Sequence, residues 1–302
     1  ARILHDHGHA VTVLDKSRGP GGRSSSRRGD GTRHDHGCQV LRLRGEVLRR
    51  PAESWEEDGV IARWNPRVLQ DGSVLPRPRD PWFVGTPGMN ELVRHLQRDL
   101  TVEFGCRVAR LEKTSSGWIA FDEAGTKVGA ADRVIVAAPA PQAAALLRTA
   151  DLDADSLDAV RFDATWTLLL DGVEHDAGFD VAVDPGPEIR WMAREASRPG
   201  RTDAGCWTIN ATPEWSRENL EAAPEAVEQR LRTAAAAVLG AAVEHPGTVH
   251  RWRYGLVEAP LGRPVHVDAS SGAIACGDWC LGGRGENAFE SGVAAAGQIL
   301  RD

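Results

Sequence analysis

Lysine is nearly absent: only three of the chain's 36 basic residues, Lys16, Lys113 and Lys127, are lysine, and the rest are arginine. The arginines are spread along the chain rather than gathered into runs, and the net charge is −7. That balance excludes the basic footprint of a nucleic-acid-binding protein, although a local arginine pair can still hold an anionic group of a small ligand. Apolar stretches near the roughly 20 residues of a membrane span are also missing, as is a basic start followed by an apolar core and cleavage site. A cytoplasmic protein without membrane or nucleic-acid partners is the expectation. Cysteines are few and odd in number, five at positions 38, 106, 206, 276 and 280, which excludes a disulfide framework and points to buried free thiols. Cys276 and Cys280 lack a histidine pair at zinc-finger spacing, so no metal site is expected. The histidines of "HDHGH" and "RHDHG" cluster as ligands do, but His5 to His9 continue a helix into a turn and read as solvated polar residues. No internal repeat or long low-complexity tract is present.

What is there has the order of a nucleotide-binding fold. At 302 residues the chain is long enough for two lobes, each with a substantial core. "ARILHDHGHA" reads as the last turns of a helix closed by Gly8, followed by the buried parallel strand Val11 to Asp15. In dinucleotide-binding folds an acid ending the second strand accepts hydrogen bonds from ribose hydroxyls, about 20 residues after the glycine-rich turn of the first strand. That first strand and its GxGxxG turn are not in the sequence. Either they lie upstream of residue 1 or the protein has lost them, and the former is the expectation.

Further along, Leu92, Val93, Leu96 and Leu100 sit at helical spacing, and residues 110 to 121 read as a hairpin turning at Ser115–Gly117. "DRVIVAAPAP" suits a buried parallel strand whose end faces a ligand crevice. From Pro141 to about Tyr254 the character changes, with strands at Thr167–Leu170 and Cys206–Ala211 and a helix from Pro224 to Leu239 stopped by Gly240. The closing "GAIACGDWCLGGRGENAFESGVAAAGQIL" is again strand, glycine-rich turn and helix. The expected organisation is α/β: a discontinuous Rossmann-like domain (1–50, 84–142 and 256–302) and a mixed α+β substrate domain (51–83 and 143–255).

Two glycine-rich loops carry the chemistry. In "DKSRGPGGR" Asp15 and Lys16 close the strand, Gly22 frees the backbone for close approach, and Arg18 and Arg23 supply charge for a pyrophosphate. In "CGDWCLGGRGENAF" Gly277, Asp278 and Gly285 lead into a helix start, which favours anionic character, and Asp278 is placed to bond a ribityl or ribose hydroxyl unless it only caps the turn.

The segments "LDKSRGPGGRSSSRR", "WFVGTPGMNELVRHL", "CRVARLE", "VIVAAPAPQAAALL", "HRWRY" and "CGDWCLGGRGENAFESGVAAA" occur in order over nearly the whole chain, and in this the sequence resembles the bacterial renalase-like flavoproteins of the flavin amine oxidase superfamily. The resemblance implies a FAD-binding domain of the p-hydroxybenzoate hydroxylase type. It also implies noncovalent FAD and an oxidase that takes a hydride from 2- or 6-dihydro isomers of NAD(P)H and reduces O2 to H2O2. Asp15, Arg23, Gly37, Cys38, Gln39, Val108 and Asp278 fall on FAD-contacting positions. Val40, Leu41, Arg42, Leu43 and Arg44, then Pro76, Arg77, Pro78, Arg79 and Asp80, and Trp166 fall on the substrate side. Trp166, Trp252 and Tyr254 are candidates to orient the substrate ring, or else ordinary core aromatics. No acid or base is expected, since a dihydropyridine needs only to be held against the flavin. Relatives carry an aromatic pair after the glutamine where this chain has Val40 and Leu41, so the pocket is expected to differ. A conventional amine oxidase is the nearest alternative, weakened by the three lysines and single tyrosine, and a scaffold that no longer holds FAD is the other.

Overall fold

The computed structural model describes residues 1–29, 31–202 and 205–301. Contacts group the chain into two units, one of Ala1–Pro20, Arg94–Phe162 and Val257–Asp302, the other of Gly21–Val93 and Asp163–Leu256. The sequence reading places residues 21–50 and 84–93 with the dinucleotide-binding domain and 143–162 with the substrate domain; by contact these segments group the other way. Among the described residues no helix is long and apolar enough to cross a membrane.

In the first unit the short helix Arg2–Asp6 ends at Gly8, whose φ of +85° suits a residue without a Cβ. The strand Thr12–Asp15 follows and pairs in parallel with Thr101–Phe104, Thr12 opposite Thr101 and Asp15 opposite Phe104. Among the described residues only one strand pairs with it, and Val13, Leu14 and Asp15 are half-buried and Thr12 exposed, not buried as the apolar run suggests. The helix expected to reach Leu100 stops at Leu96, because Asp99 takes a φ of +63°, outside helical space. The hairpin Arg110–Thr114 and Gly117–Phe121 forms as expected and gains a third strand, Lys127–Ala131. Ile135–Val136 runs parallel to Ile274–Ala275, which also pairs antiparallel with His266–Val267.

Small residues let helices approach these strands closely. Helix Ala140–Arg148 buries Ala140, Ala143, Ala144 and Leu147, and Trp279 packs beside them with its indole N–H donated to the Ala138 carbonyl at 3.0 Å. Burying an indole on this scale contributes about 2–3 kcal/mol. Helix Gly285–Ile299 buries Ser291, Ala295 and Ala296. Ser291 Oγ donates to the Pro264 carbonyl at 2.6 Å and accepts from Gly277 N–H at 3.0 Å, fixing the helix to the turn before it.

The second unit is built on a seven-stranded sheet in the order Thr248–Ala259, Arg161–Leu170, Trp207–Ala211, Ile189–Arg194, Val181–Val183, Val68–Gln70, Ser73–Leu75. Alternation sets its faces: Trp166, Leu168 and Leu170 point into the core with Trp207, Ile209 and Ala211, while Thr165 and Thr167 take the opposite face. Helix Pro224–Leu239 covers that core with Val227, Leu231, Ala235 and Leu239, four residues apart, and Gly240 ends it in the left-handed region at φ +70°.

Beside the sheet lies a dry ionic cluster. Asp35, Glu195, Arg198 and Arg201 have side chains at most 1% exposed. Arg201 bonds both carboxylates and donates Nε–H to the Pro87 carbonyl at 2.7 Å. Arg198 stacks its guanidinium over the Trp64 ring at 4.4 Å; its Nε lies 3.0 Å from Glu195, an ionic contact without hydrogen-bond geometry. Two anions and two cations balance, which is the condition for burying any of them.

Candidate functional site

The residues expected to hold a cofactor are distributed over both units. In the first, Asp15 closes its strand with Oδ1 accepting the Ser17 N–H at 2.8 Å, which orders the start of the glycine-rich loop. Lys16 donates to Gln142 Oε1 at 3.1 Å across the turn before helix Ala140–Arg148. Gly19 has open space, with no atom within 4 Å of where a Cβ would stand, and exposed Arg18 precedes it. Val108 packs against the core under the hairpin. Asp278 is 7% exposed and its Oδ1 accepts the adjacent Trp279 N–H at 2.9 Å. Gly277 allows the Trp279 indole to fold back, since a Cβ there would meet Nε1 at 2.5 Å. Gly285 opens the final helix, whose first turn carries the buried carboxylate of Glu286.

In the second unit two of the expected segments meet. Cys38 N–H donates to the Arg23 carbonyl at 2.7 Å, and a Cβ on Gly37 would stand 2.0 Å from that same oxygen. Glycine at 37 is therefore required by the approach of the two chains. Gly21, at φ +120°, turns the loop where a Cβ would strike the Ser25 backbone, whereas Gly22 faces open space. The Arg23 guanidinium reaches the Gly255 carbonyl at 3.5 Å. Burial, with the charge of Asp35 second, pushes the Cys38 thiol up to about 11, so it stays protonated, within 3.4 Å of the Val40 carbonyl. Gln39 is held by the protein itself: Arg198 donates to its side-chain Oε1 at 2.6 Å and to its main-chain carbonyl at 2.8 Å.

The expected substrate-side residues separate into three groups. Leu41 is buried and bridges Phe83 through a pair of backbone hydrogen bonds, while Val40, Arg42 and Leu43 are half-buried. Arg44 and Asp80 form an exposed ion pair with each other, and Pro76, Arg77 and Arg79 lie at the surface with Pro78 half-buried. Trp166 is 3% exposed, sits in the sheet core and donates its indole N–H to the Asn219 carbonyl at 3.0 Å. It packs the core and offers no face to a ligand. Trp252 and Tyr254 are half-buried on the strand Thr248–Ala259.

Around Trp252 the structure assembles a group that the sequence reading did not single out. His36, His250 and Trp252 form an aromatic triangle with centroids 5.0, 5.0 and 4.3 Å apart, and Trp252 Nε1–H donates to the His36 carbonyl at 2.9 Å. Burial lowers the His36 imidazole to about 4, with His250 and Arg27 acting in the same direction; burial also lowers His250, with Arg27 adding to it. Both rings are neutral at neutral pH, and among the described residues His36 Nδ1 is a buried atom without a hydrogen-bond partner. The signal available in the sequence was the clustering in "RHDHG", whose His34, Asp35 and His36 are all buried, whereas His7 and His9 are exposed and His5 half-exposed.

The chain matches the family described as flavin containing amine oxidoreductase over residues 58–300 and an NAD(P)-binding Rossmann-like domain over residues 1–55. Its fold is similar to that of cyclohexylamine oxidase from Brevibacterium oxydans IH-35A, with a TM-score of 0.70 at 13% identity over 99% of this chain and 95% of that one. A second solved structure, of a protein from Exiguobacterium sp. 255-15 assigned as a protoporphyrinogen oxidase, aligns at 17% identity and a TM-score of 0.47 over 62% of this chain; the chain spans 44% of that protein's length.

The donor set fits FAD. Within the first unit Asp15 would offer a carboxylate to ribose hydroxyls, Gly19 leaves backbone open to a bulky group, Arg18 would supply positive charge for a phosphate, and the helix at Gly285 presents its N-terminal amides. Burial holds the Cys38 thiol protonated and raises those of Cys276 and Cys280, so these three are poor nucleophiles for covalent attachment. With a family match over most of its length and a Rossmann-like match ahead of it, the chain belongs to the flavin-containing amine oxidoreductases, a family whose cofactor here is noncovalent FAD.

Proposed function

We propose that the protein oxidises 2- or 6-dihydro isomers of NAD(P)H, as the renalase-like resemblance implies. The substrate loses a hydride and becomes the aromatic pyridinium; O2 takes the two electrons with that hydrogen and one proton from solvent, and leaves as H2O2. When bound, FAD supplies the hydride acceptor and the route of the electrons to O2. The protein's own residues need only bind, orient and exclude water.

The observation that carries this reading is the placement of the lysines. All three lie in the first unit: Lys16 bonds Gln142, Lys113 donates to the Ser270 carbonyl at 3.1 Å, and Lys127 is exposed. The second unit has no lysine to assist amine chemistry, the feature by which conventional amine oxidases are expected to differ. What it has instead is an aromatic set suited to a ring, Trp252 and Tyr254 together with His36 and His250. Because both imidazoles are neutral, they set no positive charge against a substrate ring that becomes cationic as it reacts. Half-buried Arg42 is the candidate for a nucleotide phosphate, since Arg44 is paired with Asp80.

The fold shared with cyclohexylamine oxidase keeps amine oxidation as the second reading. Neutral imidazoles also suit a deprotonated amine. Anaerobic mixing of the FAD-loaded protein with each dihydro isomer, with ordinary 4-dihydro-NADH and with cyclohexylamine separates the two. Rapid flavin bleaching by a 2- or 6-dihydro isomer is expected, followed on aeration by one H2O2 per substrate. Bleaching by the amine alone overturns the assignment.

A further inference from the structure

Apart from the residues assigned above, the second unit holds a convergence of three ligating side chains. Leu170 pairs with Trp207 in the antiparallel register, so the next residue on one strand, Asp171, and the preceding residue on the other, Cys206, face each other across the sheet end. The Val173 N–H to Gly205 carbonyl bond, at 2.9 Å, fixes these two segments together. His34, on the strand Arg33–Asp35, reaches the same point: its Nε2 lies 2.9 Å from Asp171 Oδ1, and Cys206 Sγ lies 3.2 Å from that oxygen. Ligand atoms from the three residues all lie within 4.8 Å of one another.

The other ring nitrogen of His34 is anchored within the protein. Thr208, two residues from Cys206 and on the same face, donates its hydroxyl proton to Glu195 Oε1 at 2.5 Å, and Glu195 is an anion held by Arg201. The hydroxyl has one proton, so at its 3.2 Å contact with His34 Nδ1 it accepts, and Nδ1 carries the hydrogen. With Nδ1 anchored in this way, Nε2 is the nitrogen left pointing at the Asp171 carboxylate oxygen, 2.9 Å away. A histidine whose far N–H is anchored through a polar relay to a carboxylate is also the outer-shell pattern of metal-binding imidazoles.

We infer that His34 Nε2, an Asp171 carboxylate oxygen and Cys206 Sγ form a site for a borderline-soft divalent cation, with Zn2+ as the fitting ion. One nitrogen, one oxygen and one sulfur make three of the four ligands of a tetrahedral zinc. Asp171 also lines a cleft of about 330 Å³ together with Glu174, His175, Glu244 and His245. His34 and Cys206 are buried and Asp171 is 57% exposed, so the ion enters on the Asp171 side. Binding displaces the Cys206 thiol proton to solvent and forms the sulfur–metal bond.

The test uses the full-length FAD-loaded protein after treatment with a chelator. Equilibrium dialysis against Zn2+ should give one ion per chain, and 113Cd2+ should give one NMR resonance at a shift that requires a thiolate ligand. Cys206→Ser should abolish that shift. Asp171→Ala, a change at an exposed position with little consequence for the core, should weaken Zn2+ binding about 100-fold or more, at or beyond the upper end for loss of a supporting residue. His34→Gln should act similarly. Substoichiometric binding in the wild type overturns the inference and leaves His34 and Asp171 as a hydrogen-bonded pair. So does an affinity that Asp171→Ala does not change, because the ion then sits elsewhere.

Discussion

Replacing Arg201 by methionine should cost about 4 kcal/mol of stability. The side chain is 1% exposed and contacts Asp35 and Glu195, both completely buried, as well as the Pro87 carbonyl at 2.7 Å. Wild type places two anions against two cations; the variant leaves two anions facing Arg198 alone. Breaking a buried pair in this way costs about 3–5 kcal/mol, since the stranded charge has neither water nor partner. The abandoned Pro87 carbonyl adds about 1 kcal/mol, partly offset by the packing of the thioether. Urea unfolding of wild type and variant, followed by far-UV circular dichroism, gives the difference directly. Adding Asp35→Asn removes the surplus negative charge and should recover part of the loss, a coupling that a purely steric defect would not show. A cost below about 1 kcal/mol, or no recovery in the double variant, refutes the claim that charge balance holds this cluster in place.

Acid should weaken the fold through His36. Its folded value of about 4 lies below the ordinary 6.5, so the unfolded chain binds the proton first: stability is complete above pH 6.5 and falls as pH drops toward 4, by at most about 3 kcal/mol. His36→Phe should flatten that part of the stability profile, and an unchanged slope rejects the assignment. Gly37→Ala should release FAD, because its Cβ would stand 2.0 Å from the Arg23 carbonyl and drive apart the two segments that meet there. The ratio of flavin to protein absorbance after gel filtration measures it; full retention would show that the loop can give way.

Local regularities were readable from residues alone. The four-residue spacing of Val227, Leu231, Ala235 and Leu239 with Gly240 behind it gives helix Pro224–Leu239 to its ends, and the serine–glycine turn gives the hairpin. The expected α/β architecture with a Rossmann-like part agrees with the family match and with the fold shared with cyclohexylamine oxidase. What depends on distant partners was not readable. Nothing near Gln39 announces that Arg198, 159 positions away, will hold it. Trp166 looks like a candidate ligand wall until the fold buries it in the sheet core with its indole N–H on the Asn219 carbonyl. Cys276 and Cys280 drew attention as a pair of thiols, whereas the cysteine that meets a histidine and an aspartate is Cys206, brought there by strand register. His36 and His250 lie 214 residues apart, and only the fold makes them neighbours.

The confinement of lysine to one unit has a practical corollary. Acylating agents directed at side-chain amines modify only the first unit, and lysine acetylation cannot alter the charge of the second. Every fixed cation there is a guanidinium, which keeps its proton at any pH the protein survives. The second unit's positive groups are therefore a permanent complement, and acid or alkali changes its field only through carboxylates, thiols, its lone phenol and imidazoles.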